Sequence, residues 1–233
     1  MTEFERCAKD AEQGQAEAQL NLGWMYASGR GVPRNFSKAF EWWTKAAEQG
    51  LAIAQFELAM RYYEGIGIPK NLAKSVEWFS KGAEQGCEQA QYQLGLMYLN
   101  GDGVPISAIK CVDLWTKSAE RGYAHAQFRL GMVYISGAGR EVKKNVDMAL
   151  KWWTKAAELG LAEGQFHLGT MFAMGEGVPK DEAKAIDLYI KAADQGYADA
   201  QYEMGVRYDE GDGVPKNAAK ALELWQKAAD QGD

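Results

Sequence analysis

Apolar residues fall at helical spacing in two alternating kinds of segment. The first kind, helix A, carries a leucine or methionine four residues before an aromatic: Leu22 and Tyr26, Leu58 and Tyr62, Leu94 and Tyr98, Leu130 and Tyr134, Leu168 and Phe172, Met204 and Tyr208. An i, i+4 step puts both on one helical face. The second kind, helix B, carries bulky pairs: Trp42-Trp43, Trp78-Phe79, Leu114-Trp115, Trp152-Trp153, Leu188-Tyr189 and Leu224-Trp225. Small residues follow one turn later, as at Ala46-Ala47, Gly82-Ala83 and Ser118-Ala119. The large residues are expected to fill the gap to helix A, and the small ones to admit the next pair.

Turn residues punctuate the pattern. Helix A ends at Gly-x-Gly: Gly29/Gly31, Gly65/Gly67, Gly101/Gly103, Gly137/Gly139, Gly175/Gly177 and Gly211/Gly213. Glycine there takes positive φ and stops the helix. Pro33, Pro69, Pro105, Pro179 and Pro215 prevent its continuation. Asn35, Asn71, Ser107, Asn145, Asp181 and Asn217 follow, all favoured N-cap types, so helix B is expected to begin there. A glycine also lies inside helix A, at Gly23, Gly95, Gly131, Gly169 and Gly205, with Ala59 in the second unit. It costs about 1 kcal/mol relative to alanine. Its recurrence points to close approach of a neighbouring helix.

The segment Ala16-Glu17-Ala18-Gln19 returns at Ala52, Glu88, Ala124, Ala162 and Ala198, at spacings of 36, 36, 36, 38 and 36 residues. Self-similarity at such a period marks a stacked array whose units bury their apolar faces only against neighbours. The expectation is one all-α solenoid domain over 1–233, with about six helix–turn–helix repeats at 15–50, 51–86, 87–122, 123–160, 161–196 and 197–232. Residues 1–14 match a leading helix B, a half-repeat placed to cap the first unit. The chain stops at a repeat boundary with no polar cap, so that end is expected either to have been trimmed or to pack on another chain.

The 233 residues are 47% hydrophobic and 25% charged, enough for a sizeable core, with a formal net charge of −6. That balance argues against nucleic acid and against an anionic membrane surface as the main partner. No apolar run approaches the ~20 residues of a membrane span. The charged start, Met1 to Arg6, lacks a signal-peptide stretch, so the chain as written reads as cytoplasmic. A chain whose signal had been removed, periplasmic or secreted, would read the same. Cys7, Cys87 and Cys111 are odd in number, with no CxxC, and read as reduced structural thiols.

Ala16 to Gly50 reads A-x-A-Q-x-x-L-G-x-M-Y-x-x-G-x-G-V-P-x-N-x-x-K-A-x-x-W-x-x-K-A-A-E-Q-G. This resembles the Sel-1-like repeat family, relatives of the tetratricopeptide repeats, over essentially the whole chain. The resemblance implies a right-handed α/α superhelix with helix A on the concave side. It also implies a scaffold or adaptor role, mostly in bacteria. An immunity protein blocking one toxin or enzyme is the alternative. Two departures stand out. Repeat four carries two extra residues in Arg140-Glu141-Val142-Lys143-Lys144 and lacks the proline. Arg140, Lys143 and Lys144 are candidate loop contacts, though a solvated loop is the simpler reading. The cysteines do not follow the two-per-repeat pattern of the family's cysteine-rich members.

Those cysteine-rich members resemble β-lactam hydrolases, the distant alternative. A Ser-x-x-Lys occurs at Ser107 to Lys110, but Ser-Asp-Asn and Lys-Thr-Gly do not. Ser107 is an N-cap residue, and Lys110 falls in the column of Lys38, Lys74, Lys184 and Lys220. His125 and His167 stand alone in variable columns and read as surface histidines. No catalytic residue, metal ligand or cofactor is expected.

Function then rests on variable columns of helix A, which begin at Glu17, Leu20, Trp24, Ala27 and Ser28. The Leu20 column, continuing Phe56, Tyr92, Phe128, Phe166 and Tyr202, is regular enough to be packing or binding surface. The expected partner is a protein or peptide. It would lie on an apolar floor at Trp24, Met60, Tyr63, Leu96, Leu99 and Met132, beside His125. Asp199, Glu203, Asp209, Glu210 and Asp212 form an acidic end suited to basic residues.

Overall fold

The computed structural model describes residues 1–138 and 141–232. Among them are thirteen α-helices: α1 (Glu3–Glu12), α2 (Ala16–Ser28), α3 (Phe36–Glu48), α4 (Ala52–Glu64), α5 (Leu72–Glu84), α6 (Glu88–Asn100), α7 (Ala108–Glu120), α8 (Ala124–Ser136), α9 (Val146–Glu158), α10 (Ala162–Met174), α11 (Glu182–Asp194), α12 (Ala198–Glu210) and α13 (Ala218–Ala229). Even-numbered helices are helix A and odd-numbered ones helix B. No described residue belongs to a strand. The chain is an all-α solenoid, and it divides into two compact units, 1–123 and 124–233. Within each unit every helix packs on the one before and the one after it.

The caps follow the sequence. Asn35, Asn71, Asn145, Asp181 and Asn217 each accept the backbone N–H three residues on at 3.0–3.1 Å. Ser107 does so at 3.4 Å. Each cap residue also donates its own N–H to the carbonyl of the helix A aromatic, as Asn35 does to Tyr26 at 2.8 Å and Asn71 to Tyr62 at 2.8 Å. The Gly-x-Gly residues within the described range take positive φ, with Gly29 at 79° and Gly31 at 71°. Gly139 lies outside the described residues.

The glycine inside helix A makes room for the helix B aromatic. A Cβ on Gly95 would stand 2.5 Å from the Trp115 indole, and one on Gly169 would stand 2.9 Å from the Tyr189 ring. Gly23, Gly131 and Gly205 face Trp43, Trp153 and Trp225 in the same way. The repeat that carries alanine, Ala59, carries the smaller Phe79 opposite it, and both are buried in one cluster.

A buried glutamine ties consecutive helices. Gln19, Gln55, Gln91, Gln165 and Gln201 each donate to a carbonyl near the end of the preceding helix B, as Gln55 does to Ala47 at 3.2 Å. The oxygen of the same amide accepts from a glutamine at the end of the following helix B: Gln49 to Gln19, Gln85 to Gln55 and Gln195 to Gln165 at 2.7 Å, and Gln231 to Gln201 at 2.9 Å. Arg121 replaces that donor in repeat three, and the buried Gln91 Oε1 has no partner. In α1, Ala11 accepts from Gln19, and Phe4 meets Tyr26 edge-on at 5.7 Å as Phe40 meets Tyr62 at 5.5 Å. So α1 packs as a helix B.

Candidate functional site

The Leu20 column is packing. Leu20 is buried, and Phe56, Tyr92 and Phe166 lie 5.9, 6.0 and 5.4 Å from the helix B rings Phe79, Trp115 and Tyr189. Tyr202 alone in that column is exposed. The next residue along helix A, in the column Asn21, Glu57, Gln93, Arg129, His167 and Glu203, reaches the open face instead. It was not among the columns expected from sequence, because helical periodicity does not say which of two adjacent columns turns towards helix B.

In the first unit, Trp24 and Leu99 are exposed, at 39% and 38%, while Met60, Tyr63 and Leu96 are half-buried. Trp24 Nε1 donates to Glu57 at 3.0 Å, across consecutive A helices. The Tyr63 hydroxyl donates to Asp102 at 3.1 Å, so Tyr63 ties one repeat to the next. Burial and the Asp102 carboxylate push its pKa up. A cleft of about 470 Å³ lies beside Asn21, Trp24 and Ser28, closed on its other side by Glu3, Arg6 and Asp10 of α1.

In the second unit, Met132 (37%), His125 and Asp199 are exposed and Asp209 is half-buried. The acidic end needs correction. Glu203 and Asp212 are not free carboxylates, because both bind the buried Arg207, at 3.0 and 3.2 Å, and Glu182 is its third partner. The guanidinium holds the Glu182 carboxyl below its ordinary pKa. Arg207 also lies 5.3 Å from the Tyr189 ring centroid. Its signal was present in the sequence: an arginine in an otherwise apolar column (Met25, Met97, Val133, Met171), four residues after a glutamate, as in Glu57-Arg61. The acidity left to this face comes from Glu163, Asp199, Asp209 and Glu210.

His167 also departs from the expectation of a surface histidine. It is half-buried, stacked on Trp153 at 4.8 Å between Phe128 and Phe166. Burial lowers its pKa, opposed by Asp199 and Glu163. It lines a cleft of about 500 Å³ with Thr170, Met174, Glu203 and Arg207. Met174 is 73% exposed there and was missed from sequence.

Ala138 and Val142 exchange both backbone hydrogen bonds across the repeat-four insertion, and Val142 is buried. Lys144 pairs with Glu176 at 3.1 Å, and Lys143 is exposed. Arg140 lies outside the described residues. Cys7, Cys87 and Cys111 are free thiols. Ser107 caps α7, and the Lys110 ammonium stands 4.9 Å from the Tyr98 ring centroid, as Lys74 stands 5.1 Å from that of Tyr62. Among the described residues no three His, Cys, Asp or Glu side chains converge to hold a metal ion, and no helix is long and apolar enough to cross a membrane.

This recurring frame has counterparts. A family model for the Sel1 repeat matches residues 16–51, 52–87, 88–123, 124–161, 162–197 and 198–233. The chain belongs to the Sel1 repeat family. A Sel1 repeat protein from Oxalobacter formigenes is similar at 33% identity and TM-score 0.84, over 93% of this chain and 86% of that one. A protective antigen of uropathogenic Escherichia coli with the same repeat fold is similar at 32% identity and TM-score 0.80 over all of this chain. The chain spans only 57% of that antigen's length. An immunity protein of Pseudomonas aeruginosa shares the fold at 22% identity and TM-score 0.58, over 94% of this chain and 83% of that one. No curated protein matches the chain.

Proposed function

We propose that this Sel1 repeat chain is a non-catalytic interaction module that receives a partner polypeptide on its A helices. The observation that carries the reading is the exposure of Trp24, Leu99 and Met132 in columns that the repeat frame leaves variable. The packing, capping and ladder residues are spent on the fold. Exposed aromatic, leucine and methionine side chains on A helices suit an apolar segment better than they suit water. Asp199 and Glu210, exposed in the second unit, favour basic residues in that segment.

Catalysis is not part of the reading, since capping accounts for Ser107 and the contact of the ammonium with the Tyr98 ring accounts for Lys110. Turnover of nitrocefin by the purified chain would contradict it. The test of binding is affinity purification with the full chain and with a Leu99→Asp/Met132→Asp variant, followed by mass spectrometry. Partners kept by the first and lost by the second support the groove. Several such partners support a scaffold, and a single tight one supports an immunity protein. Equal recovery by both chains counts against the groove.

A further inference from the structure

On the helix B side of the first unit, α5 and α7 leave an open cleft of about 310 Å³ between them. Its floor is Ala83, Leu94, Tyr98 and Leu114, and Ser80 and Lys117 stand at its rim. The repeats explain why it is there. In the preceding pair of repeats the place of Leu114 belongs to Trp78, whose half-buried indole packs on the cluster containing Ala47 and Leu58, the counterparts of Ala83 and Leu94. The place of Ser80 belongs there to Thr44. Repeat five pairs Leu188 with Thr154, and repeat six pairs Leu224 with Ile190. Leucine and serine coincide only between repeats two and three, where the cleft lies.

The rim retains what an indole would meet. Lys81 holds its ammonium 4.0 Å from the Trp78 ring centroid while bonded to Glu77 at 2.7 Å. Lys117 is bonded to Asp113 at the same 2.7 Å, and three residues before it stands Leu114 where Trp78 precedes Lys81. A cation in that position attracts the face of an aromatic ring. Ile106 stands just before the Ser107 cap and Ile109 in the first turn of α7, next in sequence to Lys110, which lines the cleft; the two are exposed at 72% and 58%. The other repeats place Arg34, Lys70, Lys144, Lys180 or Lys216 in the first of these columns, and serine, alanine or aspartate in the second. Repeat three therefore combines exposed isoleucines with a leucine in the aromatic place, in a cleft that Glu84, Lys110, Asp113 and Lys117 also line.

We infer that this cleft is a docking site for the tryptophan side chain of a partner polypeptide, which takes the position held by Trp78 one repeat earlier. It shares no residue with Trp24, Met60, Tyr63 or Leu99, so it stands or falls apart from the groove.

The test titrates the ¹⁵N-labelled full chain with N-acetyl-tryptophan amide and with N-acetyl-leucine amide. Saturable amide shifts are expected at Ser80, Leu94, Tyr98 and Lys117, with the tryptophan amide tighter by about fivefold or more. Leu114→Trp, which fills the cleft as repeat two does, is expected to abolish them. Lys117→Ser, a change at an exposed side chain, is expected to weaken binding by about threefold without altering Tm. A pentapeptide with tryptophan between leucines is expected to bind about fivefold tighter than the amide, because Ile106 and Ile109 extend the apolar contact. Shifts that do not saturate or that map elsewhere, an equal response to the leucine amide, or unchanged affinity in either variant would overturn the site. A pentapeptide no tighter than the amide would overturn a polypeptide as its occupant.

Discussion

Gly95 lies so close to Trp115 that a Cβ on it would stand 2.5 Å from both Cδ1 and Nε1 of the indole. The indole N–H in turn donates to the Tyr92 carbonyl at 3.0 Å. Repeat two carries the matched alternative, Ala59 with Phe79. The two columns are thus one choice: glycine facing a tryptophan or tyrosine, or alanine facing the smaller phenylalanine.

Gly95→Ala is therefore expected to destabilise the chain by about 2 kcal/mol, in the range of overpacked cores. Adding Trp115→Phe copies repeat two and is expected to recover much of that loss. Urea melts of the two single variants and the double variant measure the coupling. Additive losses would contradict the pairing.

Most of this frame was legible in the sequence. Caps and glycine stops recur six times and the helix A glycine five, and repetition separates a structural residue from an accident. What was not legible depends on neighbours that a column cannot show. Glu203 and Asp212 read as free acids although Arg207 follows Glu203 by four residues on α12, and its pairing with Asp212 and with Glu182 of α11 depends on the folded chain. His167 read as a surface residue because its column is variable and polar in the other repeats, and here Trp153 and Phe128 enclose it. Val142 read as part of a solvated loop, yet the Ala138 to Val142 hydrogen bonds turn it inward.

The glutamine ladder gives a stabilising substitution. Arg121→Gln supplies Gln91 Oε1 with the amide donor that Gln85 gives Gln55. A gain of about 1 kcal/mol is expected from satisfying a buried acceptor. Thermal or urea unfolding reads it, and an unchanged or lower midpoint would count against the ladder.

His167 makes stability depend on pH. Burial against Trp153 lowers its pKa in the folded chain, so the neutral ring is favoured there and the unfolded chain binds the proton more readily. Its contribution is present above the unfolded value of about 6.5 and is lost as pH falls from there through the lower folded value. The wild type is expected to lose more stability between pH 7.5 and pH 5.5 than His167→Gln does. Parallel losses in urea titrations would contradict this.

Burial pushes the Cys111 thiol up to about 12, so almost none of it is thiolate near neutrality. Iodoacetamide at pH 8 is expected to leave Cys111 unmodified in the folded chain and to alkylate it after unfolding in urea. Peptide mass spectrometry reads the site directly, and rapid labelling of folded Cys111 would show that α7 opens.

The central claim is a division of labour, with framework columns holding the fold and variable helix A columns holding the partner. Its most direct measurement is the partner's Kd against Tm for two variants of the full chain. Leu99→Asp/Met132→Asp is expected to raise Kd by about a hundredfold, as loss of buried apolar contacts does, and to leave Tm within about 2 °C. Gly95→Ala is expected to lower Tm by several degrees and to leave Kd unchanged while the chain stays folded. Unchanged Kd in the first variant, or a Tm loss in it matching that of the second, would contradict the account.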